Sequence, residues 1–227
     1  MCGPLKGESV VNGSWRYCFF DFDGTLFDSA PDITRSLNDV AAHLDREEVE
    51  LDRVRHVIGG GLGRLLTDVF GELTTEEIRE GRRIFMASYG NGLWDLSRPY
   101  RDAHEVVRVL GSYGGVVSNK PRRFLDPLIR HLQWEFGVVV AGDDGYRRKP
   151  SGAGLKAALE KVGATPEVAV YVGDRPMDHA AAMACGVDFL TVEWGTCVGV
   201  PSLDGLEDLP TAVPPDEVML KPLGQAN

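Results

Sequence analysis

Asp21 and Asp23 stand two residues apart in Asp21-Phe22-Asp23-Gly24-Thr25, directly after the apolar, aromatic run 16–20. A carboxylate aimed at phosphorus can attack it and form an aspartyl phosphate. A second acid two residues on can protonate a leaving alcohol and later deprotonate water. Further along, Ser118-Asn119-Lys120, Lys149 and Gly173-Asp174 with Asp178 add a hydroxyl, an amide, a lysine and more carboxylates. Carboxylates from separate strand ends make a hard oxygen site that suits Mg2+. Ser118 and Asn119 can hydrogen-bond phosphoryl oxygens, and Lys149 can offset charge. Each has a plainer use when taken singly. Asp-x-Asp is a common turn pair, Ser118 and Asn119 can cap a helix before Pro121, Asp178 can cap the helix it opens, and a single lysine is ordinarily a surface residue. Their joint occurrence at strand ends favours a site.

The elements that must position these residues can be read from periodicity. Residues 16–20 form a buried strand that stops at a polar turn. From Pro31 to Leu44, Ile33, Leu37, Val40, Ala41 and Leu44 recur at helical spacing, with Asp32 in the first turn where an acid suits the helix dipole. Further helices are expected over 50–58, 62–70 and from Thr74 or Thr75 to about Gly90, with Glu76 and Glu77 in the opening turn. After Pro99 the texture alternates. Strands are expected at 115–118, 138–140, 168–172 and 189–192, separated by helices near 102–111, 122–132, 152–162 and 178–185. Apolar strands alternating with helices predict a parallel sheet covered on both faces. The expected fold is therefore an α/β core, residues 1–29 and 98–227, interrupted after its first strand by an all-helical insert, residues 30–97. Ligands of such sheets bind beyond the carboxyl ends of the strands, where all the residues above fall. The stretch after Val200, rich in Pro, Asp and Leu, reads as an irregular closing segment.

A chain of 227 residues with 34 acidic against 24 basic residues carries a net charge of −10. That balance disfavours nucleic acid or an anionic membrane as partner. It would also repel a phosphate ester, so a local positive site is required, usually a divalent ion with a few cations. Cys2, Cys18, Cys185 and Cys197 are scattered without zinc spacing, which fits thiols in a reducing compartment. The start of the chain has no apolar run fit for a signal peptide or a membrane span, so a cytoplasmic protein is expected.

The nine residues from Asp21 to Ser29, with Ser118-Asn119-Lys120-Pro121, Lys149-Pro150, and Gly173-Asp174 with Asp178, resemble in order the four motifs of the haloacid dehalogenase superfamily, in its phosphoglycolate phosphatase-like branch. The resemblance covers nearly the whole chain and implies a Rossmann-like core whose helical insert is a cap closing over the site. It implies Asp21 as nucleophile, Asp23 as acid and base, and Mg2+ held by the Asp21 side chain, the Asp23 backbone carbonyl and Asp174, with Asp178 close by. Ser118 and Lys149 would bind phosphate with Asn119 in support, and Thr25 would orient the first loop. Placed over the site by the resemblance, the turn Gly59-Gly60-Gly61-Leu62-Gly63-Arg64 makes Arg64 the candidate to grip a substrate carboxylate or second phosphate; the glycines alone read equally as a turn between helices.

Two departures stand out. Arg175-Pro176 follow Asp174 where the family has a small hydroxyl residue, and Lys149-Pro150-Ser151-Gly152 lacks a second proline. The expected reaction is hydrolysis of a small phosphate monoester, phosphoglycolate leading, with sugar phosphates, nucleoside monophosphates, pyridoxal phosphate and pyrophosphate behind it. A phosphosugar mutase of the same fold and a non-catalytic phospho-ligand binding protein are the alternatives; Asp23 argues against a dehalogenase. His43, His56, His104, His131 and His179 show no metal spacing, and monomer and homodimer are equally compatible with the sequence.

Overall fold

The computed structural model describes residues 15–209. Strand β1, Tyr17–Phe20, is followed by the two-residue β2, Phe27–Asp28, and then by helices α1, Ala30–His43, α2, Leu51–Val57, α3, Leu62–Phe70, and α4, Thr75–Asn91. The chain returns through β3, Arg98–Pro99, into α5, Ala103–Leu110, β4, Gly114–Val117, α6, Arg122–Leu132, and β5, Val138–Val140. It continues as α7, Ala153–Val162, β6, Ala169–Gly173, α8, Pro176–Met183, and β7, Asp188–Thr191.

The five longer strands form one parallel sheet in the order β5-β4-β1-β6-β7, with Phe20 opposite Val116 on one side and Val172 on the other. Because side chains alternate along a strand, Cys18, Phe20, Val116, Val170 and Val172 face one apolar cluster that includes Val106 and Leu110 of α5 and Leu125 and Leu128 of α6. Phe19, Val117 and Tyr171 face the other cluster with Leu155 and Leu159 of α7 and Ala182 of α8. Burial on both faces is why these strands read as unbroken apolar runs.

The four helices α1–α4 pack on one another through Leu37, Val40, Val54, Leu66 and Phe85, all nearly or fully buried. Thr74 opens α4 with a reciprocal capping box: its hydroxyl accepts from Glu77 N–H while the Glu77 carboxylate accepts from Thr74 N–H. The chain leaves the sheet layer and returns to it through the antiparallel pair β2 and β3, in which Phe27 faces Pro99 and Asp28 faces Arg98. Asp32 does more than suit a helix dipole. It is fully buried and accepts hydrogen bonds from the backbone of Leu96 at 3.1 Å and Ser97 at 2.8 Å, pinning the returning chain to the start of α1.

The closing stretch is ordered as far as it is described. Thr191 N–H donates to Pro201 O and Leu203 N–H to Thr191 O, a short 3-10 turn spans Leu206–Asp208, and Leu203, Leu206 and Leu209 enter the core. Cys18, Cys185 and Cys197 are free thiols, and Cys2 lies outside the described residues. Among the described residues no helix is long and apolar enough to cross a membrane.

Candidate active site

Three strand ends deliver the polar residues to one edge of the sheet. The central β1 runs into Asp21, its neighbour β4 into Ser118 and its other neighbour β6 into Asp174. The first loop folds tightly, with Gly24, Leu26 and Phe27 bonded across it. Gly24 sits at φ +85°, and a Cβ there would lie 2.5 Å from Asp174 Oδ2. Only glycine fits both the backbone conformation and that approach. Gly173 has a parallel reason, since its Cβ would fall 2.5 Å from the Cβ of Asp178.

Lys149 lies at the centre of the cluster. Its Nζ donates to Asp178 Oδ1 at 2.6 Å and to Tyr171 Oη at 2.9 Å and forms an ion pair with Asp21 Oδ1 at 2.8 Å. Burial alone would lower the lysine's pKa, but the Asp178 and Asp21 carboxylates hold it well above the ordinary value. Tyr171, which passes its own proton to Val117 O at 2.7 Å, was not picked out by the sequence because it reads as one more residue of a buried strand.

Asp21, Asp174 and Asp178 are buried and present carboxylate oxygens that all lie within 4.8 Å of one another. Burial, with smaller contributions from neighbouring carboxylates, pushes Asp21 up to about 6 against the opposing pull of Lys149. Burial, then Asp178 and Asp21, pushes Asp174 well above the ordinary carboxylate range. Three buried carboxylates facing one ammonium fit a hard divalent cation, which takes carboxylate oxygens and relieves their repulsion. Asp178 is already engaged at both oxygens, by Lys149 and by Arg175 N–H at 2.9 Å. Asp174 accepts from Thr25 Oγ1 at 3.1 Å through Oδ1 only, so Asp21 and Asp174 are the side chains with room for an ion.

The Asp23 carboxylate lies outside that cluster. Lys120 Nζ holds both of its oxygens, at 2.9 and 3.2 Å, and also donates to Tyr89 Oη of α4 at 2.6 Å. Burial pushes the Tyr89 phenol up to about 12. Ser118 is buried and its Oγ accepts from Lys120 N–H at 3.2 Å. Asn119 is committed to structure: Oδ1 accepts from Lys149 N–H at 2.9 Å, while Nδ2 donates to Lys149 O at 3.1 Å and to Gly59 O at 2.9 Å. It therefore holds the Lys149 backbone rather than offering its amide to a ligand. Thr25 likewise orients Asp174, being fully buried against it.

The glycine-rich turn does lie against the sheet edge, through Gly59 and Asn119, but Arg64 does not reach the cluster. Its side chain is 70% exposed and paired with Asp68 at 3.3 Å, one turn along α3. The basic residues of the helical layer that border the strand-end loops are Arg55 and His56. They line a cavity of about 360 Å³ together with Asp23, Gly24 and Asp174, closed on one side by the stacked rings of Tyr100 and Trp194, 4.4 Å apart. Arg55 is held by Asp28 at 2.9 Å. Arg175, the departure in the fourth motif, reaches across to the end of α2, donating to Arg55 O at 3.0 Å and to His56 O at 2.5 Å. Those carbonyls are among the four that a helix end leaves without intrahelical partners.

The chain is similar to known proteins both in sequence and in fold. A phosphoglycolate phosphatase of Xylella fastidiosa (strain 9a5c) is 34% identical over 197 residues, covering 85% of this chain and 86% of that protein. An N-acetylmuramic acid 6-phosphate phosphatase of Pseudomonas aeruginosa is 32% identical over 182 residues, covering 78% of this chain and 80% of that protein. In fold, the crystal structure of a HAD-superfamily hydrolase, subfamily IA, variant 1, from Geobacter sulfurreducens superposes with a TM-score of 0.70 at 23% identity, over 91% of this chain and 100% of that one. The family described as haloacid dehalogenase-like hydrolase matches residues 18–192, which span all four motif segments, and the chain belongs to that family.

Proposed function

We propose that this hydrolase is a phosphatase that cleaves a small phosphate monoester by way of an aspartyl phosphate on Asp21, with Mg2+ held by Asp21, Asp174 and the Asp23 backbone carbonyl. The supporting observation is the Lys149 arrangement, in which one buried ammonium is ion-paired with Asp21 and Asp178 among three buried carboxylates at the sheet edge. The phosphatase names of the relatives in Xylella and Pseudomonas support the same reaction.

Asp21 attacks phosphorus as its bond to the ester oxygen breaks, and Asp23 gives that oxygen its proton so that a neutral alcohol departs. Asp23, now ionised, takes a proton from water as the water oxygen attacks the aspartyl phosphate; inorganic phosphate leaves and Asp21 is restored. Lys149 and Ser118 stabilise the phosphoryl oxygens, Lys149 being released in part from Asp21 as that carboxylate becomes an acyl phosphate. A bound Mg2+ would neutralise the phosphoryl charge and align it with Asp21. Residues 30–97 act as a cap that excludes water from the first step, and residues 1–29 with 98–227 as the catalytic core.

The test is phosphate release from a panel of phosphate monoesters, with Mg2+ and with EDTA, beside an Asp21→Asn variant. Metal-dependent release lost in the variant is the expected result. A folded protein that releases no phosphate from any ester would overturn the reading.

A further inference from the structure

Asp23 borders two cavities of opposite character. The polar one, described above, also borders Asp174. The other, of about 80 Å³, lies where the cap meets the second motif loop, and does not border Asp174. Its walls are Ile58, Leu62, Leu65, Phe85, Met86 and Phe124, and its polar floor is Asp23, Lys120 and the Tyr89 hydroxyl. Space of that size holds on the order of six water molecules, or an alkyl group of about four to six carbons. Water among so many apolar groups is displaced favourably by an apolar ligand.

The floor matters as much as the walls. Lys120 is the one cation lining this slot among the described residues, and Asp23 and Tyr89 engage its ammonium. A carboxylate entering here would face the Asp23 carboxylate and be desolvated without a partner. Arg64, the residue expected from sequence to receive a carboxylate, is turned to solvent.

We infer that this slot receives the leaving group, and that the preferred substrates are phosphate monoesters whose alcohol carries a compact apolar group, rather than esters with a carboxylate beside the phosphate. The inference rests on the phosphatase reading above. With phosphorus at Asp21 and the ester oxygen at Asp23, the alcohol's carbon chain continues past Asp23 along Leu62 and Leu65 toward Phe85 and Met86. Binding energy from this part of the substrate, remote from the reacting atoms, then favours the transition state.

The experiment measures kcat/KM of the full chain with Mg2+ for methyl, ethyl, propyl, butyl and hexyl phosphate and for phosphoglycolate, with Asp21→Asn as the blank. The expected result is a rise of about four-fold per methylene until the slot is full, with butyl phosphate well ahead of phosphoglycolate. A Leu62→Asn variant, altered at a half-buried position that folding tolerates better than a core one, should lower the butyl to methyl ratio roughly five-fold or more. A flat or falling series, or a preference for phosphoglycolate, with Asp21-dependent release intact, would overturn the inference and leave the phosphatase reading standing. Release from none of the esters would overturn both.

Discussion

Replacing Arg175 by Ser, the small hydroxyl type usual after Gly-Asp in the family, should loosen the helical layer without touching the reacting groups. The wild-type guanidinium donates to Arg55 O and His56 O at the end of α2. Hydrogen bonds with a charged partner contribute about 1.5–3 kcal/mol each when well desolvated. Arg175 is half-buried, so solvent screening reduces the pair to roughly 1–2 kcal/mol in all. Since about 1.4 kcal/mol is a factor of ten, the ratio of closed to open states of the proposed cap should fall roughly 5- to 30-fold. The assay is amide hydrogen exchange over residues 51–59 at saturating Mg2+, with α7 as an internal reference, alongside steady-state kinetics. Exchange at 51–59 should accelerate by that factor while α7 is unchanged, KM should rise as the competent population shrinks, and Arg175→Lys, able to reach one carbonyl, should fall between. Unchanged exchange and KM in Arg175→Ser would refute the reasoning.

Removing Lys149 as Lys149→Met leaves Asp21, Asp174 and Asp178 without their buried cation; loss of about 3–5 kcal/mol is expected, read as a Tm lower by roughly 6–20 °C in EDTA and recovered by Mg2+ more than in the wild type. The contribution of the buried Asp21 carboxyl to the stability of the metal-free wild-type protein should be largest in acid. The Asp21 carboxyl is raised from 3.8 to about 6, so the folded state holds its proton longer, and stability present below pH 4 is lost as pH climbs through about 6, by about 3 kcal/mol. The raised Asp174 acts in the same direction, and denaturant melts from pH 4 to 7 with and without Mg2+ should show the loss with EDTA and a much flatter profile with the ion. Arg64→Ala should leave KM unchanged and stability within about 0.5 kcal/mol, because an exposed i,i+4 pair with Asp68 contributes little; a several-fold rise in KM would restore Arg64 to the site.

Much of the fold was legible because its signals are long and periodic. Helix α3 over 62–70, helix α6 over 122–132 and strand β5 over 138–140 have the bounds that spacing predicts. The β2 and β3 pair was not legible, since two residues are too few to show a period. Arg64 was misread, although its phase was available: at 100° per residue it falls opposite Leu65, Leu66 and Val69, the buried face of α3. Lys120 and Tyr89 lie 31 residues apart on different elements, and Tyr171 has the spacing of ordinary core; these pairings exist only once the sheet and helices are assembled. Asn119 and Thr25 were found by position and given supporting tasks by the resemblance, but their partners, the Lys149 backbone and Asp174, were not legible, because a short polar side chain beside a site serves a ligand or a neighbour equally well until the fold brings its partners to it.

Arg175 carries the other lesson. Read locally, it is only a departure from the small hydroxyl residue of the family; in the fold, the turn performs three tasks over five residues. Asp174 faces Asp21 and Thr25, Arg175 grips α2, and Asp178 joins Lys149 to the Arg175 backbone. A cation drawn to Asp174 therefore acts on the same short segment that fastens the helical layer, and a coupling of this kind is reciprocal. If closure of α2 tightens the grip on the ion, the ion must favour closure by the same factor, and the loss of apparent Mg2+ affinity in Arg175→Ser measures how much of closure the turn transmits.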